Sequence, residues 1–264
     1  MIYKTGSNVK LIHKAELCKS IIADGKELIV TGKESGELRV PELKDEKVYI
    51  TFKEKVTNFY FTFYGCSALK SIPENLFANY PEVTAFTATF LRCDGLAEIP
   101  ENLFANNPKV TDFYGTFENC EALKSIPENL FANCPKVTSF QDTFQDCSAL
   151  TSIPENLFAN NLEITSFNGT FYGCTSLTNI PTGLFDNNRK VTSWGSDYDD
   201  MSGTFKGCSA LTGESPYTMI DGQKVHLYER ADYPEHFTTP TSTYQAFGNC
   251  TGLTDYAQIP SDWK

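Results

Sequence analysis

Residues 110–136 read VTDFYGTFENCEALKSIPENLFANCPK, and the same order of residue types recurs on both sides of this stretch. Cysteines stand at positions 66, 93, 120, 147, 174, 208 and 250; the first four gaps are 27 residues and the last two are 34 and 42. Aligned on them, the chain shows one unit, V-T-x-F-x-x-T-F-x-x-C-x-x-L-x-x-I-P-x-N-L-F-x-N-x-x-x. Copies begin at Val56, Val83, Val110, Val137, Ile164 and Val191. The sixth carries the insertion GSDYDDM at 195–201, and AFGNCTGL at 246–253 is a degenerate seventh. A fixed period of this length is the signature of a repeat array.

The columns of the alignment predict the core. Phe59, Phe86, Phe113, Phe140 and Phe167 form one column, continued by Trp194. Phe63, Phe90, Phe117, Phe144, Phe171, Phe205 and Phe247 form a second, and Phe77, Phe104, Phe131, Phe158 and Phe185 a third. These columns take 17 of the 20 phenylalanines, so the aromatic content reads as core rather than as a binding surface. Asn79, Asn106, Asn133, Asn160 and Asn187 form a polar column expected to bond the backbone of adjacent units. Thr62, Thr89, Thr116, Thr143, Thr170 and Thr204 form a hydroxyl column of similar purpose.

Each unit divides into two similar halves, V-x-x-F-x-x-T-F-x-x-C and L-x-x-I-P-E-N-L-F-A-N. Each half reads as a short strand followed by a tight turn or a single helical turn, with Pro and Glu suited to a first helical turn. One unit offers about seven large apolar side chains, worth roughly 2 kcal/mol each when buried. Ordering its residues costs roughly 1–2 kcal/mol apiece in backbone entropy. A lone unit therefore does not fold, and its apolar faces become core only against neighbours.

The flanks break the period. Residues 1–55 carry no repeat and read as strands near 27–31, 37–40 and 47–52, which predicts a β-rich N-terminal cap. Tyr217 to Tyr228 alternates around Asp221-Gly222, a strong hairpin signal. Residues 213–245 are read as an insertion packed beside the last units, and Trp263 as a lid on the array.

Composition narrows the function. The formal net charge is -11, which argues against nucleic acid as a partner. No apolar run approaches the ~18 residues of a membrane span, so no membrane insertion is expected. Residues 1–16 carry no continuous apolar stretch and do not read as a signal peptide; Cys18 lacks the apolar segment that a lipoprotein box needs. The cysteines form no C-x-x-C pair of the kind metal sites use and read as free, buried thiols. Asp197, Asp199 and Asp200 resemble a calcium-binding loop only in composition, and a solvated acidic loop is the reading adopted. His13, His226 and His236 lie outside the repeats, and neither G-x-S-x-G nor H-E-x-x-H occurs. No catalytic residue, metal ligand or cofactor site is therefore assigned.

The order F-x-x-C-x-x-L-x-x-I-P resembles the BspA-like leucine-rich repeats, which occur on surface proteins of anaerobic gut and oral bacteria and in related parasite and phage-encoded proteins. The resemblance covers residues 56–212 and 246–260, with the extra length of the unit lying in P-E-N-L-F-A-N. It implies a cell-surface or secreted location, adhesion to host or neighbouring-cell proteins or glycans, and no catalysis. The expected fold is an α/β leucine-rich-repeat-like solenoid of about seven coils, with short parallel strands and short helical turns. The expected division is a cap at 1–55 and a solenoid at 56–264, with the insertion at 213–245.

Positions that vary between copies are expected to face solvent. Two such columns run Tyr60, Thr87, Tyr114, Gln141, Asn168 and Tyr64, Leu91, Glu118, Gln145, Tyr172, Lys206. Tyrosines are common interface anchors, so Tyr60, Tyr64, Tyr114 and Tyr172 are the candidate ligand-binding residues. Trp194 and Tyr198 join them from the point where the period breaks. Recognition, a passive spacer or display stalk, and a hydrolase remain the competing functions. Near-identical copies favour the spacer, and the irregular later copies favour recognition.

Overall fold

The computed structural model describes residues 1–28, 36–196 and 203–264. It opens with short strands: β1 (Ile2–Tyr3), β2 (Gly6–Ile12), β3 (Cys18–Ala23), β4 (Lys26–Leu28), β5 (Leu38–Leu43) and β6 (Tyr49–Phe52). They build small antiparallel sheets: β2 pairs with β5, and β3 lies between β4 and β6. Sequence reading anticipated parts of β4, β5 and β6 but missed β2 and β3. In GSNVKLI the last four residues are all buried, so the strand lacks the alternation that marks a half-buried strand.

The expectation of an α/β leucine-rich-repeat-like solenoid is corrected. The described residues contain no α-helix, only three short 3-10 segments at Ala15–Leu17, Leu227–Asp232 and Ser261–Trp263. The sheets are small and separate. The strand slot of each unit shrinks to one residue, in isolated parallel bridges Asn58 to Ala85, Ala85 to Asp112, Asp112 to Ser139, Ser139 to Ser166 and Ser166 to Ser193. The reason lies in the next residues. Thr62 N donates to Phe59 O and Cys66 N to Phe63 O, with φ of 54° at Phe61 and 65° at Gly65. Positive φ at the third position is the pattern of a type II turn, and two such turns in succession end the strand. The I-P-E-N-L-F-A-N half also fails as a helix. Leu76 N bonds Pro73 O, Ala78 N bonds Asn75 O and Tyr80 N bonds Phe77 O, a chain of i to i+3 turns rather than an i to i+4 ladder.

Adjacent units are joined turn to turn. Phe61, Phe63 and Gly65 donate their N–H groups to Thr87, Thr89 and Leu91 carbonyls one unit on. The three Phe columns lie inside, fully buried, with the rings of the Phe63 column 5.3–5.7 Å apart and nearly parallel. Phe77 wedges between successive rings of the first column, 4.6 Å from both Phe59 and Phe86, and reaches Phe90 of the second at 6.2 Å. All nine cysteines are free and buried; Cys93 Sγ–H donates to Phe63 O at 3.2 Å, and Cys120, Cys147 and Cys174 repeat the contact on Phe90, Phe117 and Phe144. Thr89 Oγ1 lies 2.6 Å from Phe86 O and 2.9 Å from Phe59 O, so one hydroxyl proton serves carbonyls of two units.

The asparagine column is shifted by one residue from its expected place. Asn79, Asn106, Asn133, Asn160 and Asn187 are exposed, though Asn187 Nδ2 still donates to Ala159 O one unit back at 3.1 Å. The buried ladder is formed by Asn107, Asn161 and Asn188, with Cys134 in the same position. Asn161 Nδ2 donates to Phe131 O and Cys134 O, one unit back. Polar residues stand at both positions of the N-N dipeptides, so the alignment alone did not select the inward one.

The ends are tied down. β1 pairs with β7 (Leu69–Ser71) of the first unit, and the Phe52 ring meets Phe59 at 4.9 Å. β8 (Tyr217–Ile220) and β9 (Gln223–His226) form the anticipated hairpin, with positive φ at Asp221 and Gly222 as a type I′ turn requires. At the far end Phe247 N donates to Trp263 O at 2.7 Å, and the Trp263 ring stacks on Phe247, so Trp263 covers the end of the second Phe column.

Candidate ligand-binding face

The paired turns decide what faces outward. Their inner residues, such as Phe59, Thr62, Phe63 and Cys66, are buried; the second position of the first turn is exposed at Tyr60 and Tyr114 and half-buried at Thr87, Gln141 and Asn168, while at the third position Phe61 is exposed and Ala88, Gly115, Asp142 and Gly169 are buried. Left-handed backbone recurs at Phe61, Ala88, Gly115, Asp142 and Gly169, and again at Gly65, Arg92, Asn119, Asp146, Gly173 and Gly207. One face of the chain is thus a regular row of turn tips on a rigid aromatic interior.

Four expected site residues lie on this face. Tyr60 is 44% and Tyr114 40% exposed, while Tyr64 and Tyr172 are half-buried. Trp194 is corrected: it is fully buried, stacked on Phe167 at 5.5 Å and edge-on to Phe185. It continues the Phe59 column and is a core residue. Tyr198 and the acidic triplet at 197, 199 and 200 lie outside the described residues.

The N-terminal corner of the face holds residues that sequence reading passed over. His13 meets Tyr64 edge-on at 5.2 Å, Phe61 meets it at 5.8 Å, and Lys10 Nζ lies 5.2 Å from the Tyr64 ring. Lys10 is only 7% exposed and pairs with Glu37 at 2.9 Å; Arg39 also pairs with Glu37. The Lys10 ammonium, with help from Arg39, holds the Glu37 carboxyl down at about 2. His13 is shifted the other way from a paired histidine: burial first, then Lys10, lower its affinity for a proton. Backbone bonds from His13 N and Lys14 N to Thr62 O fix this corner to the first unit. The only sequence signal was Phe61 itself, a bulky residue in a column otherwise filled by Ala, Gly and Asp. It is 39% exposed and sits at φ 54°, a conformation that costs a residue with a Cβ about 1–2 kcal/mol.

Further along, the face turns acidic. Burial and then the neighbouring Asp146 raise the Glu118 carboxyl. Burial and then Glu121 raise that of Asp94, and Asp146 is raised chiefly by burial.

A second polar cluster joins the insertion to the C-terminal segment. His226 Nδ1 lies 3.1 Å from Glu229 and Nε2 3.2 Å from Glu214 and 3.6 Å from Asp255. Asp255 accepts from Ser215 N at 3.0 Å, from Ser215 Oγ, and from Tyr228 Oη at 3.3 Å. His226 therefore has partners that the sequence did not reveal, Glu229 three residues on and Glu214 and Asp255 12 and 29 residues away. Ser215 is buried and its hydroxyl is directed to Asp255, so the group works as a clasp.

No protein-family model and no curated protein matches the sequence. Among solved structures the chain is similar to a leucine-rich cell surface protein from Faecalibacterium prausnitzii, with 17% identity over 75% of this chain and 76% of that one and a TM-score of 0.20. It is similar to a leucine-rich repeat protein from Bacteroides ovatus, with 21% identity over 75% and 63% and a TM-score of 0.19. A weaker likeness is to the Toll–Spatzle complex of Drosophila, with 16% identity over 56% and 32% and a TM-score of 0.15. The chain spans less than two thirds of the last two. At these TM-scores the likeness decides neither fold, function nor location.

Proposed function

We propose that the chain is a non-catalytic recognition module, carried at a cell surface or secreted, that binds a protein or glycan through the row of turn tips bearing Tyr60, Tyr64, Tyr114 and Tyr172. The observation that carries this reading is the exposure of Tyr60 and Tyr114 on a face whose backbone is locked from within. Rigid aromatic side chains lose little entropy on binding. The family resemblance of the repeat supports a surface location. The cluster around His226 supports a structural role rather than catalysis, because its serine hydroxyl is bonded to Asp255 and Glu214 and Glu229 are paired with His226.

The spacer reading draws on a different side of the chain. Asn102, Asn129 and Asn156 each donate to a glutamate one unit back, Glu74, Glu101 and Glu128. That side satisfies itself and suits a passive surface. An array of matrix proteins and glycans tests the proposal: a ligand retained at micromolar concentration is expected, and none retained would leave the spacer reading in its place.

A further inference from the structure

Beside the Tyr64 corner lies a groove of about 310 Å³ between the N-terminal strands and the first unit. Three cations line it, Lys4, Lys10 and Arg39, and no carboxylate stands among its described lining residues. This is a basic recess on a protein of net charge -11. The remaining lining is rich in small polar groups, among them Ser7, Asn8 and Ser67. Lys4 is exposed, and its backbone is pinned by a bond from its N–H to Ala68 O at 2.6 Å. Glu37 engages Lys10 and Arg39 and holds their side chains in place.

Next to the groove, Phe61 costs the fold twice, by its exposure and by its left-handed backbone. The equivalent positions Ala88, Gly115, Asp142 and Gly169 show that the turn needs no aromatic ring there. Its contact is with Tyr64, which His13 flanks on another edge. Strain maintained at an exposed residue points to a role outside folding.

We propose that this corner is a subsite for an anionic saccharide, with the exposed Phe61 ring, braced edge-on by Tyr64, stacking on the apolar face of a sugar ring and Lys4 and Arg39 receiving its carboxylate or sulfate. Hydroxyl and amide groups from Ser7, Asn8 and Ser67 match a polyhydroxylated ring better than an apolar peptide side chain. The inference rests on the recognition reading above and names the ligand class at one end of that face.

Isothermal titration with the intact chain tests it. Four probes are compared: oligogalacturonate, heparin-derived oligosaccharide, neutral dextran and poly-glutamate. Binding of one or both anionic saccharides is expected, with at least tenfold weaker binding of dextran and poly-glutamate, and with affinity falling as salt is raised. The uronate and sulfate arms decide which anionic group is read. Lys4→Glu should weaken binding at least tenfold. Phe61→Gly should do the same while leaving the melting temperature unchanged or higher, because glycine fits φ 54° without strain. Leu162→Ala, an exposed apolar side chain three units along, should bind as the unaltered chain does. The proposal is overturned by failure of both anionic saccharides, by equal binding of poly-glutamate or dextran, or by unaltered affinity in Lys4→Glu and Phe61→Gly. If the saccharides fail while the array yields another ligand, this inference falls and the recognition reading stands; if both fail, both fall.

Discussion

Arg230 continues the ladder that Asn188 ends. Asn188 Nδ2 donates to Phe158 O and Asn161 O, one unit back. Arg230, from the 3-10 segment of the insertion, donates to Phe185 O at 2.9 Å and Asn188 O at 3.0 Å. Those are the corresponding acceptors one step on. The guanidinium is buried, lies over the Phe237 ring at 4.3 Å, and fills the place that a next asparagine would take. The insertion is thus seated in the repeat by a charged substitute for a neutral amide.

Replacing Arg230 should unseat it. Arg230→Met keeps the apolar stem and removes both charge-assisted bonds, worth roughly 1.5–3 kcal/mol each, while two buried carbonyls lose their donors. A loss of about 3–5 kcal/mol is expected in chemical denaturation, together with early proteolysis within the insertion. A loss under about 1 kcal/mol would mean that the ladder ends at Asn188.

The ladder also ranks substitutions at Asn161. Cys134 occupies the same position in the preceding unit, and its thiol faces Phe104 O and Asn107 O at longer range. Asn161→Cys should therefore cost little, about 1–2 kcal/mol. Asn161→Asp turns a donor into a buried anion facing two carbonyl oxygens and should cost more than about 3 kcal/mol. Urea titrations of the pair give the order directly; equal effects would contradict the donor role.

At Gly207 the backbone has φ 79°, and an added Cβ would meet Gly173 no closer than 3.6 Å. Space is available there, so only conformation opposes a side chain. Gly207→Ala should lower stability by about 1–2 kcal/mol, and calorimetry that detects no loss would argue against the left-handed turn.

Acid should loosen the N-terminal corner first. Glu37 has its carboxyl held down at about 2 in the fold, so its contribution is complete above the ordinary carboxylate range and is lost as pH falls from there toward 2. His13 binds a proton less readily folded than unfolded; its contribution is likewise lost as pH falls below the ordinary histidine range. Protection from hydrogen exchange at Ile12 and Thr62, taken relative to the intrinsic rate at each pH, should fall at pH 4 compared with pH 7, and Glu37→Gln should remove most of the lower-pH part. An unchanged pH profile in that variant would contradict the assignment.

Much of the interior was legible because it is periodic. The Phe, Thr and Cys columns face inward as the 27-residue spacing implied, and Asp221-Gly222 marked its hairpin. The secondary structure was not legible. V-T-x-F and I-P-E-N-L-F carry the residue types of a strand and a helical turn, but left-handed backbone at Phe61 and Gly65 ends the first and i to i+3 bonding takes over the second. Those choices are made by contacts with the next unit, which a single unit does not reveal. For the candidate face, exposure of Tyr60 and Tyr114 followed from their variability. Trp194 is a candidate by sequence because the period breaks there, but it remains in the Phe59 column as a larger ring and does not face solvent. His13 and Lys10 meet Tyr64, and Glu37 meets Lys10, across distances in sequence that no motif spans.

The central claim is recognition through the turn-tip tyrosines. Its most direct test is the affinity of the double variant Tyr60→Ser/Tyr114→Ser for whichever ligand the array retains, measured beside its melting temperature. Both side chains stand outside the packed columns, so the melting temperature should stay within about 4 °C of the unaltered chain. Affinity should fall at least tenfold, about 1.4 kcal/mol. Full affinity in a folded double variant would contradict the account.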